Sequence, residues 1–387
     1  MFPRSTVDRQ SRSGFLAGLR QGLRWRSQPH LPDRHRRSPA LYGPSQPWGR
    51  HQFVRRSDDR VLTERLHGDR ALHFLYAPGR APSGMLLRAL GSPRISQILA
   101  HLALDSALVA RLFRYRWFLN ACGLDLTECV DPPDTLDTPR KFFERKIRYW
   151  ACRPLPEEPD AVVSPADARV VVGSLAAGTP LFLKGKFFNF EELLACNKTS
   201  WLAAFEHGDF AIFRLTPEQY HYNHLPVSGV VLDIYEIPGT CHACNPGAVV
   251  QLATPYSKNK RVVTNIQTDV CGGSHVGLVA LIEVVALMIG EVVQRYSELR
   301  YDAPRPLQPG MFVRKGQPKS MYRPGSSTDV VLFQKGKVRF ASDLVRNLSR
   351  AGADSRFSRG FGAALVETEV RVRSMIAVPA LRRKESS

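Results

Sequence analysis

A succession of short β-forming segments between about residues 162 and 339 constrains the fold of this 387-residue chain most strongly. The segments are rich in Val, Ile, Leu and Phe, and Gly, Pro or Asn separates each one from the next, which is typical of strands joined by turns. The predicted strands are Arg169–Leu175, Pro180–Lys184, Phe210–Leu215, Val227–Glu236, Arg261–Thr268, Gly277–Val293 and Asp329–Arg339. One short helix, Phe188–Cys196, interrupts this β-rich region.

Helical patterns precede the β-rich region. From Pro93 to Leu119 apolar residues recur mostly at spacings of three and four between arginines, which predicts an amphipathic helix. A second helix is indicated from Thr138, a capping residue, and Pro139, which suits the first helical position. Glu144 and Arg148 have the spacing of an ion pair on this helix. Its apolar face would comprise Phe142, Phe143, Ile147 and Trp150.

The predicted fold class is therefore α+β. A helical N-terminal part is expected to pack on or beside a β-rich domain with a mostly antiparallel sheet. The longest apolar run, Leu278–Val293, is interrupted by Glu283 and Glu291 and is rich in β-branched residues. It predicts a buried strand with flanking turns and not a membrane span.

The charge of the chain is strongly positive. Lysine and arginine total 54 against 35 acidic residues, a formal net charge of +19. Such a charge favours polyanionic partners, either nucleic acid or an anionic membrane surface. Thirteen arginines lie in the first sixty residues, and residues 1 to about 80 show little apolar periodicity. A basic disordered extension and an organelle transit peptide both fit that composition.

Seven cysteines form an odd set without the spacing of a disulfide framework. Cys241 and Cys244 have CxxC spacing, but a closed structural zinc site needs four ligands. Two small residues in or beside a strand are the better interpretation, so no metal site is predicted.

Three turn segments carry reactive side chains. They are Ser164–Arg169, Tyr220–His224 and Pro324–Thr328. Asp167, His224 and a serine supply the parts of an acid–base–nucleophile triad. His221 and His224 have HxxH spacing, which suits a metal only with further ligands. From these residues alone a serine hydrolase, a metal enzyme and an inert β-domain remain open.

Ordered sequence blocks from about Leu119 to Asn347 resemble the signature blocks of the phosphatidylserine decarboxylase family. The blocks are GLDLTE (123–128), FFERKIR (142–148), VVSPADARV (162–170), LKGKFFNFEELLA (183–195), RLTPEQYHYNHLPVSG (214–229), NKRVVTNIQTD (259–269), VGLVALIEVVALMIG (276–290) and PGMFVRKGQPKSMYRPGSSTDVVLFQKGKV (309–338). The stretch at 214–229 is the most diagnostic. The first eighty or so residues have no such counterpart.

The resemblance implies a self-processing proenzyme. A serine hydroxyl attacks the carbonyl of the residue before it, and elimination and hydrolysis leave a pyruvoyl group on the smaller fragment. This covalent cofactor then binds the substrate amine as a Schiff base and accepts the electrons of the departing carboxylate. Asp167 matches the aspartate that orients His224, and His224 matches the base that activates the serine. His221 matches a histidine of the decarboxylation step, as proton donor.

The processing motif departs from the family pattern. The usual Gly-Ser-Thr is replaced by Gly325-Ser326-Ser327-Thr328. Keeping the downstream strand in register selects Ser327 as the pyruvoyl precursor, whereas preserving the Gly–Ser bond selects Ser326. We favour Ser327, with Ser326 as the close alternative. Ala168 also replaces a usual glycine.

The resemblance also implies a domain organisation. Residues 1–80 would be a basic extension, 81–155 a helical membrane-associating region, 156–350 the β-rich catalytic domain and 351–387 a C-terminal tail. Self-cleavage near 326/327 would give a large and a small chain that remain partners, and a homodimer is compatible with this organisation.

The expected function is conversion of phosphatidylserine to phosphatidylethanolamine at an anionic membrane surface, without nucleic acid as a partner. The expected location is peripheral, at the cytoplasmic face of a bacterial inner membrane, with the mitochondrial inner membrane as the alternative. Two other functions stay open. One is decarboxylation of a soluble, for example aromatic, amino acid, and the other is a non-catalytic basic β-domain that binds nucleic acid.

Overall fold

The computed structural model describes residues 49–66, 69, 72, 125–178, 185–252, 254–287, 291–324 and 327–380. The predicted helix Pro93–Leu119, the predicted strand Pro180–Lys184 and Ser326 lie outside these residues. In the described part, no helix is long and apolar enough to cross a membrane.

Short strands dominate the described residues, as the sequence predicts. They are β1 (Gln52–Arg55), β2 (Arg60–Thr63), β3 (Val162–Val163), β4 (Ala168–Ser174), β5 (Asp209–Leu215), β6 (Tyr222–His224), β7 (Gly229–Ile237), β8 (Arg261–Gln267), β9 (Leu278–Val285), β10 (Val292–Gln294), β11 (Phe312–Val313), β12 (Pro318–Tyr322), β13 (Ser327–Phe333), β14 (Val338–Phe340), β15 (Glu367–Val370) and β16 (Met375–Pro379).

Ten of these strands form one sheet in the order β11-β7-β8-β9-β13-β5-β4-β15-β1-β2. Every neighbouring pair in this sheet is antiparallel except β1 and β15, which are parallel. Two three-stranded sheets, β10-β12-β6 and β14-β16-β3, accompany it. The predicted α+β class with a mostly antiparallel sheet is confirmed.

The helices are short, and three of those in the described residues begin after a capping side chain. They are α1 (Pro139–Phe143), α2 (Tyr149–Cys152), α3 (Phe190–Leu194), α4 (Thr199–Phe205), α5 (Pro246–Gln251), α6 (Pro255–Lys258), α7 (Ser342–Asn347) and α8 (Arg356–Phe361). The Thr138 hydroxyl accepts a hydrogen bond from Lys141 N at 3.3 Å, as its predicted capping role requires. Asn189 and Asn245 cap α3 and α5 in the same way.

The central strands are covered on both faces. Every residue of β13 is buried, as is every residue of β9 after Leu278. Asn223 of β6 and Ser320 of β12 bond to Glu283 of β9, so the β10-β12-β6 sheet covers one face there. The predicted strand Gly277–Val293 is therefore divided into β9 and β10, which lie in different sheets.

The β-rich body extends beyond both predicted boundaries. Residues 49–66, predicted to belong to the extension, form β1 and β2, and residues 351–380, predicted to be a tail, form α8, β15 and β16. Arg214 Nη2 lies 2.6 Å from a carboxylate oxygen of both Glu64 and Glu367, and His51 Nε2 lies 2.7 Å from Glu367. His51, Glu64 and Glu367 could geometrically hold a metal ion, but the Arg214 guanidinium supplies the positive charge among them.

The predicted helix from Thr138 to Trp150 is two helices with a break between them. Glu144 ends α1, and it pairs with Arg140 at 3.3 Å and with Arg323 at 2.8 Å instead of with Arg148. The Arg148 guanidinium donates to Thr127 O. Tertiary contacts thus override the helical spacing in this segment.

Candidate active site

Ser327 is the first residue of β13, a central strand of the large sheet. It lies opposite Leu215 of β5 and Val285 of β9 and is fully buried. No group in the described part of the chain forms a hydrogen bond with its Oγ. A buried hydroxyl without a partner is compatible with strain, a reactive role or an ordered water, and the Thr264 and Thr368 hydroxyls share this property in the described residues.

His224 ends β6, and both of its ring nitrogens have partners. Nδ1 lies 2.9 Å from Gly316 O, and Nε2 lies 3.0 Å from the Tyr220 hydroxyl. Because a carbonyl only accepts, Nδ1 carries the hydrogen and Nε2 accepts from Tyr220. Burial lowers the pKa of His224 to about 3, although the bond to Gly316 opposes the shift. The ring is therefore neutral at neutral pH, the form in which a histidine accepts a proton.

Three tyrosines surround His224. The Tyr149 ring packs edge-on against His224 at 4.8 Å, and the Tyr220 and Tyr301 hydroxyls are 2.7 Å apart. Burial raises the pKa of Tyr220 well above its usual value, and the neighbouring Tyr301 adds to the shift. Tyr220 therefore stays protonated and can donate to His224.

Asp167, at the start of β4, is held by an arginine. Arg153 Nε and Nη2 lie 3.1 and 2.8 Å from its two carboxylate oxygens, and Val372 N donates to it at 2.7 Å. Burial opposes ionisation, but the charge and hydrogen bonds of Arg153 outweigh it and lower the pKa of Asp167. The Asp167 charge in turn raises the pKa of His224, as a smaller effect than burial.

The structure thus brings Asp167 near His224 but gives each a different hydrogen-bond partner. The group that orients His224 is the Gly316 carbonyl, and the group that orients Asp167 is Arg153. Gly316 has a left-handed φ of 75°, and a Cβ built there would lie 2.7 Å from Leu155 Cδ2. Only glycine fits this position without strain. A Gly after Lys315 in a turn was the only sequence signal for it.

His221 precedes β6 and lies next to β12. It is fully buried, and its ring packs against Phe143 at 4.8 Å. Its carbonyl accepts a hydrogen bond from Tyr322 N at 3.0 Å, and the Tyr322 hydroxyl donates to Thr328 O at 3.0 Å. One tyrosine therefore connects the His221 segment to the residue that follows Ser327.

A buried polar layer, which the sequence did not predict, lies between β9, β13 and the β10-β12-β6 sheet. Lys319 Nζ lies 2.5 Å from Glu283 Oε2, and Asn223 Nδ2 donates to Glu283 Oε1 at 3.1 Å. The Tyr322 hydroxyl also donates to Asp329 Oδ1 at 2.7 Å. The available signal was a charged residue, Glu283, inside an otherwise apolar strand.

A sequence model described as phosphatidylserine decarboxylase matches residues 140–357, more than half of the chain. The matched range contains the four predicted site residues that the structure describes: Asp167, His221, His224 and Ser327. The chain belongs to the phosphatidylserine decarboxylase family. Members of this family are carboxy-lyases.

Similar proteins carry the family name in plants and bacteria. The chain is 33% identical over 232 residues to phosphatidylserine decarboxylase proenzyme 2 of Oryza sativa subsp. japonica, and these residues are 59% of this chain and 34% of the rice protein. It is 26% identical over 313 residues to the phosphatidylserine decarboxylase proenzyme of Fusobacterium nucleatum, covering 76% of this chain and 91% of that protein. It is 31% identical over 253 residues to the proenzyme of Chlamydia trachomatis serovar L2, covering 65% and 77%. The chain thus spans about a third of the rice relative and most of the two bacterial ones.

Proposed function

We propose that this chain cleaves itself at Ser327 and then converts phosphatidylserine into phosphatidylethanolamine and carbon dioxide. The observation that carries the proposal is the Ser327 hydroxyl, buried at the start of a central strand without a hydrogen-bond partner in the described residues. Leaving such a group unsatisfied costs free energy, which a reactive role explains in a member of this family.

Self-cleavage needs no reactant other than the chain itself and one water molecule. Ser327 Oγ bonds to the carbonyl carbon of the preceding residue, the C–N bond breaks, and the hydroxyl proton ends on the nitrogen. Loss of the Ser327 α-hydrogen then breaks the Cβ–Oγ bond and releases the large chain as a carboxylate. Water replaces the nitrogen as ammonia leaves, which creates a pyruvoyl group at the start of the small chain.

The residues around Ser327 fit a pyruvoyl group. Leu215 and Val285, which lie opposite Ser327 on the two adjacent strands, offer no competing nucleophile or charge. The group supplies an electrophilic carbonyl that accepts the electrons of a departing carboxylate. The protein's share is to position the substrate, exclude water and move protons.

We assign proton removal during self-cleavage to His224. Its ring is neutral, and its Nε2 can accept a proton once the hydrogen bond from the Tyr220 hydroxyl to Nε2 is broken. Asp167 supports this role through its charge, because its carboxylate favours the protonated imidazole that results. The Gly316 carbonyl fixes the tautomer that this role requires.

We assign proton delivery during decarboxylation to His221. Tyr322 contacts the His221 carbonyl through its backbone and Thr328 through its hydroxyl, which supports a position near the reacting strand. Full burial of His221 excludes bulk water as a competing proton source.

We propose that the segments beside the tyrosine cluster contact a membrane surface. Trp150 and Leu299 adjoin Tyr149 and Tyr301, and 37% and 64% of their surfaces are exposed. Arg300 lies over the Trp150 ring at 4.5 Å. An aromatic and aliphatic rim with a nearby arginine suits the interface of an anionic bilayer. The cytoplasmic face of a bacterial inner membrane is the proposed location, and the mitochondrial inner membrane is the alternative.

The test is carbon dioxide release from carboxyl-labelled substrates. Purified wild-type protein should decarboxylate phosphatidylserine in mixed phosphatidylcholine vesicles and leave free serine and aromatic amino acids unchanged. Ser327→Ala should abolish the activity. Turnover of an amino acid but not of the lipid would contradict the proposed substrate, and no turnover by a self-cleaved protein would contradict it as well.

A further inference from the structure

Adjacent serines at 326 and 327 require the chain to select one hydroxyl for processing. The apolar part of β13 does little to fix the register that decides which serine lies at the cleavage position. It consists of four fully buried residues: Val330, Val331, Leu332 and Phe333. A one-residue slip of a strand turns each side chain to the opposite face. In this part of β13, a slip would only exchange one buried apolar side chain for another, so polar residues must fix the register.

Asp329 is the polar side chain of β13 that lies two residues after Ser327, on the same face of the strand. It is fully buried, opposite Glu283 of β9 and Phe213 of β5. Its Oδ1 accepts a hydrogen bond from the Tyr322 hydroxyl at 2.7 Å. Thr328 O lies 3.0 Å from the same hydroxyl and shares its single hydrogen with Asp329 in a bifurcated bond, so Tyr322 contacts both a side chain and the backbone of β13.

The face that receives Asp329 is polar. The titratable groups facing it in the described residues are Glu283, Lys319 and Tyr322. Glu283 and Lys319 form a buried ion pair with an N–O distance of 2.5 Å. Burial first, and then the Glu283 charge, raise the pKa of Asp329 well above its usual value. Both effects favour the neutral carboxylic acid, for which asparagine is a close structural substitute.

A slip that brought Ser326 to the position of Ser327 would move Asp329 to the position of Val330. That position lies opposite Ile212 and Ile282, both buried in the main apolar cluster. A carboxylic acid there would lose the Tyr322 bond and gain only apolar neighbours, which is strongly unfavourable. A valine at 329 would carry no such penalty.

We propose that Asp329 is a specificity-determining residue of the self-processing reaction, because it fixes the register of β13 so that Ser327 and not Ser326 is converted. This inference rests on the proposed function. Asp329 acts through Tyr322 and the strand and takes no part in bond making.

The test measures where the small chain begins, by mass spectrometry of protein made in a cell-free reaction. Wild type should give a small chain that begins only at position 327. Asp329→Val should give a mixture that begins at positions 326 and 327, and Asp329→Asn should restore the single start. Ser327→Ala should remain almost uncut, and the double variant Ser327→Ala/Asp329→Val should cleave at Ser326 about ten times faster than Ser327→Ala alone. Tenfold corresponds to about 1.4 kcal/mol in the balance between the two registers.

Two further variants control for general damage. Asp209→Val removes a carboxyl from β5 opposite Phe333, at the far end of β13, and should leave the start at 327. Tyr322→Phe removes only the hydroxyl and should give a mixture even if Asp329→Val fails to fold. A start at 327 alone in both Asp329→Val and Tyr322→Phe would overturn the register proposal. A wild-type start at 326 would overturn the register proposal and the choice of Ser327 but leave the proposed decarboxylation of phosphatidylserine standing, whereas an uncleaved wild type would contradict both proposals.

Discussion

Single side chains set the protonation states of this site, and burial is the main cause. The same burial lowers the pKa of His224 to about 3 and raises the pKa of Tyr220 and Asp329 well above their usual values. In each case the uncharged form is favoured. Asp167 is the exception, since Arg153 keeps it ionised despite burial. The site therefore has one carboxylate beside a neutral base.

Replacing His224 should block self-cleavage, whereas replacing His221 should slow decarboxylation. His224→Ala and Asp167→Asn should leave the chain uncut, because the serine hydroxyl loses its base or the charge that supports it. His221→Ala should still mature but release carbon dioxide about a hundredfold more slowly, the typical loss for a proton-transfer group. Gel analysis of maturation and labelled-substrate assays separate the two effects. A fully active His221→Ala would refute this division.

The raised pKa of Asp329 predicts a pH-dependent cost to stability. The folded state holds a proton on Asp329 at pH values where the unfolded chain has lost it, so the free energy of unfolding falls as pH rises above the usual value of 3.8. The slope of this contribution is up to about 1.4 kcal/mol per pH unit. Asp329→Asn removes this contribution, so the stability advantage of the variant should grow as pH rises above 3.8. Urea unfolding at a series of pH values measures the free energy of unfolding of two chains that both carry Ser327→Ala, one with and one without Asp329→Asn. If the two free energies changed with pH in parallel, Asp329 would be ionised in the folded state.

At the scale of elements, strands were easier to predict than the contacts between them. The bounds of β4, β5 and β8 agree with prediction within one residue, since apolar runs between turn residues define them. The helix predicted through Trp150 breaks after Phe143, because Glu144 pairs with Arg323, which is distant in sequence. Hydrogen-bond partners that are distant in sequence from the site residues could not be predicted either. Gly316 is separated from His224 by 92 positions, and no local pattern identifies it.

Gly316 should be the least replaceable turn glycine near the site. Gly316→Ala places a Cβ 2.7 Å from Leu155 Cδ2 at a φ of 75°, and it moves the carbonyl that holds His224. We expect a loss of about 1–2 kcal/mol in the free energy of unfolding, since the Leu155 side chain can move aside but the φ stays unfavourable, and slower self-cleavage. Gly336 is the matched control, since its φ is 67° but no atom lies within 4 Å of an added Cβ. Gly336→Ala should cost only about 1 kcal/mol, and equal losses in both variants would contradict the steric argument.

At the scale of the whole molecule, the composition of the N-terminal and C-terminal segments did not predict the boundaries of the β-rich domain. Arginine-rich residues 49–66 were predicted to be part of an extension, yet His51 and Glu64 are fully or almost fully buried against Arg214 and Glu367. Such pairing of charges over long sequence separations cannot be read from composition. The order of the family blocks, by contrast, predicts Asp167, His221, His224 and Ser327 as site residues from the sequence alone, and these roles stay predictions; their bonding partners required a structure.

The large and small chains should remain one particle after cleavage. Residues from Ser327 onward supply β13, between β9 and β5, and β15, between β4 and β1. A cut before Ser327 leaves all of these pairings intact. Size-exclusion chromatography should show one species under native conditions and a denaturing gel should show two chains. Loss of the small chain on the native column would contradict the sheet topology.

The central claim is that the chain makes its own prosthetic group at Ser327. Mass spectrometry of the purified intact protein, followed by fragmentation of the small chain, tests it most directly. We expect two chains, with the cut between residues 326 and 327 and the small chain beginning with a pyruvoyl group in place of Ser327. A single uncut chain, or a small chain with an ordinary serine at its start, would contradict it.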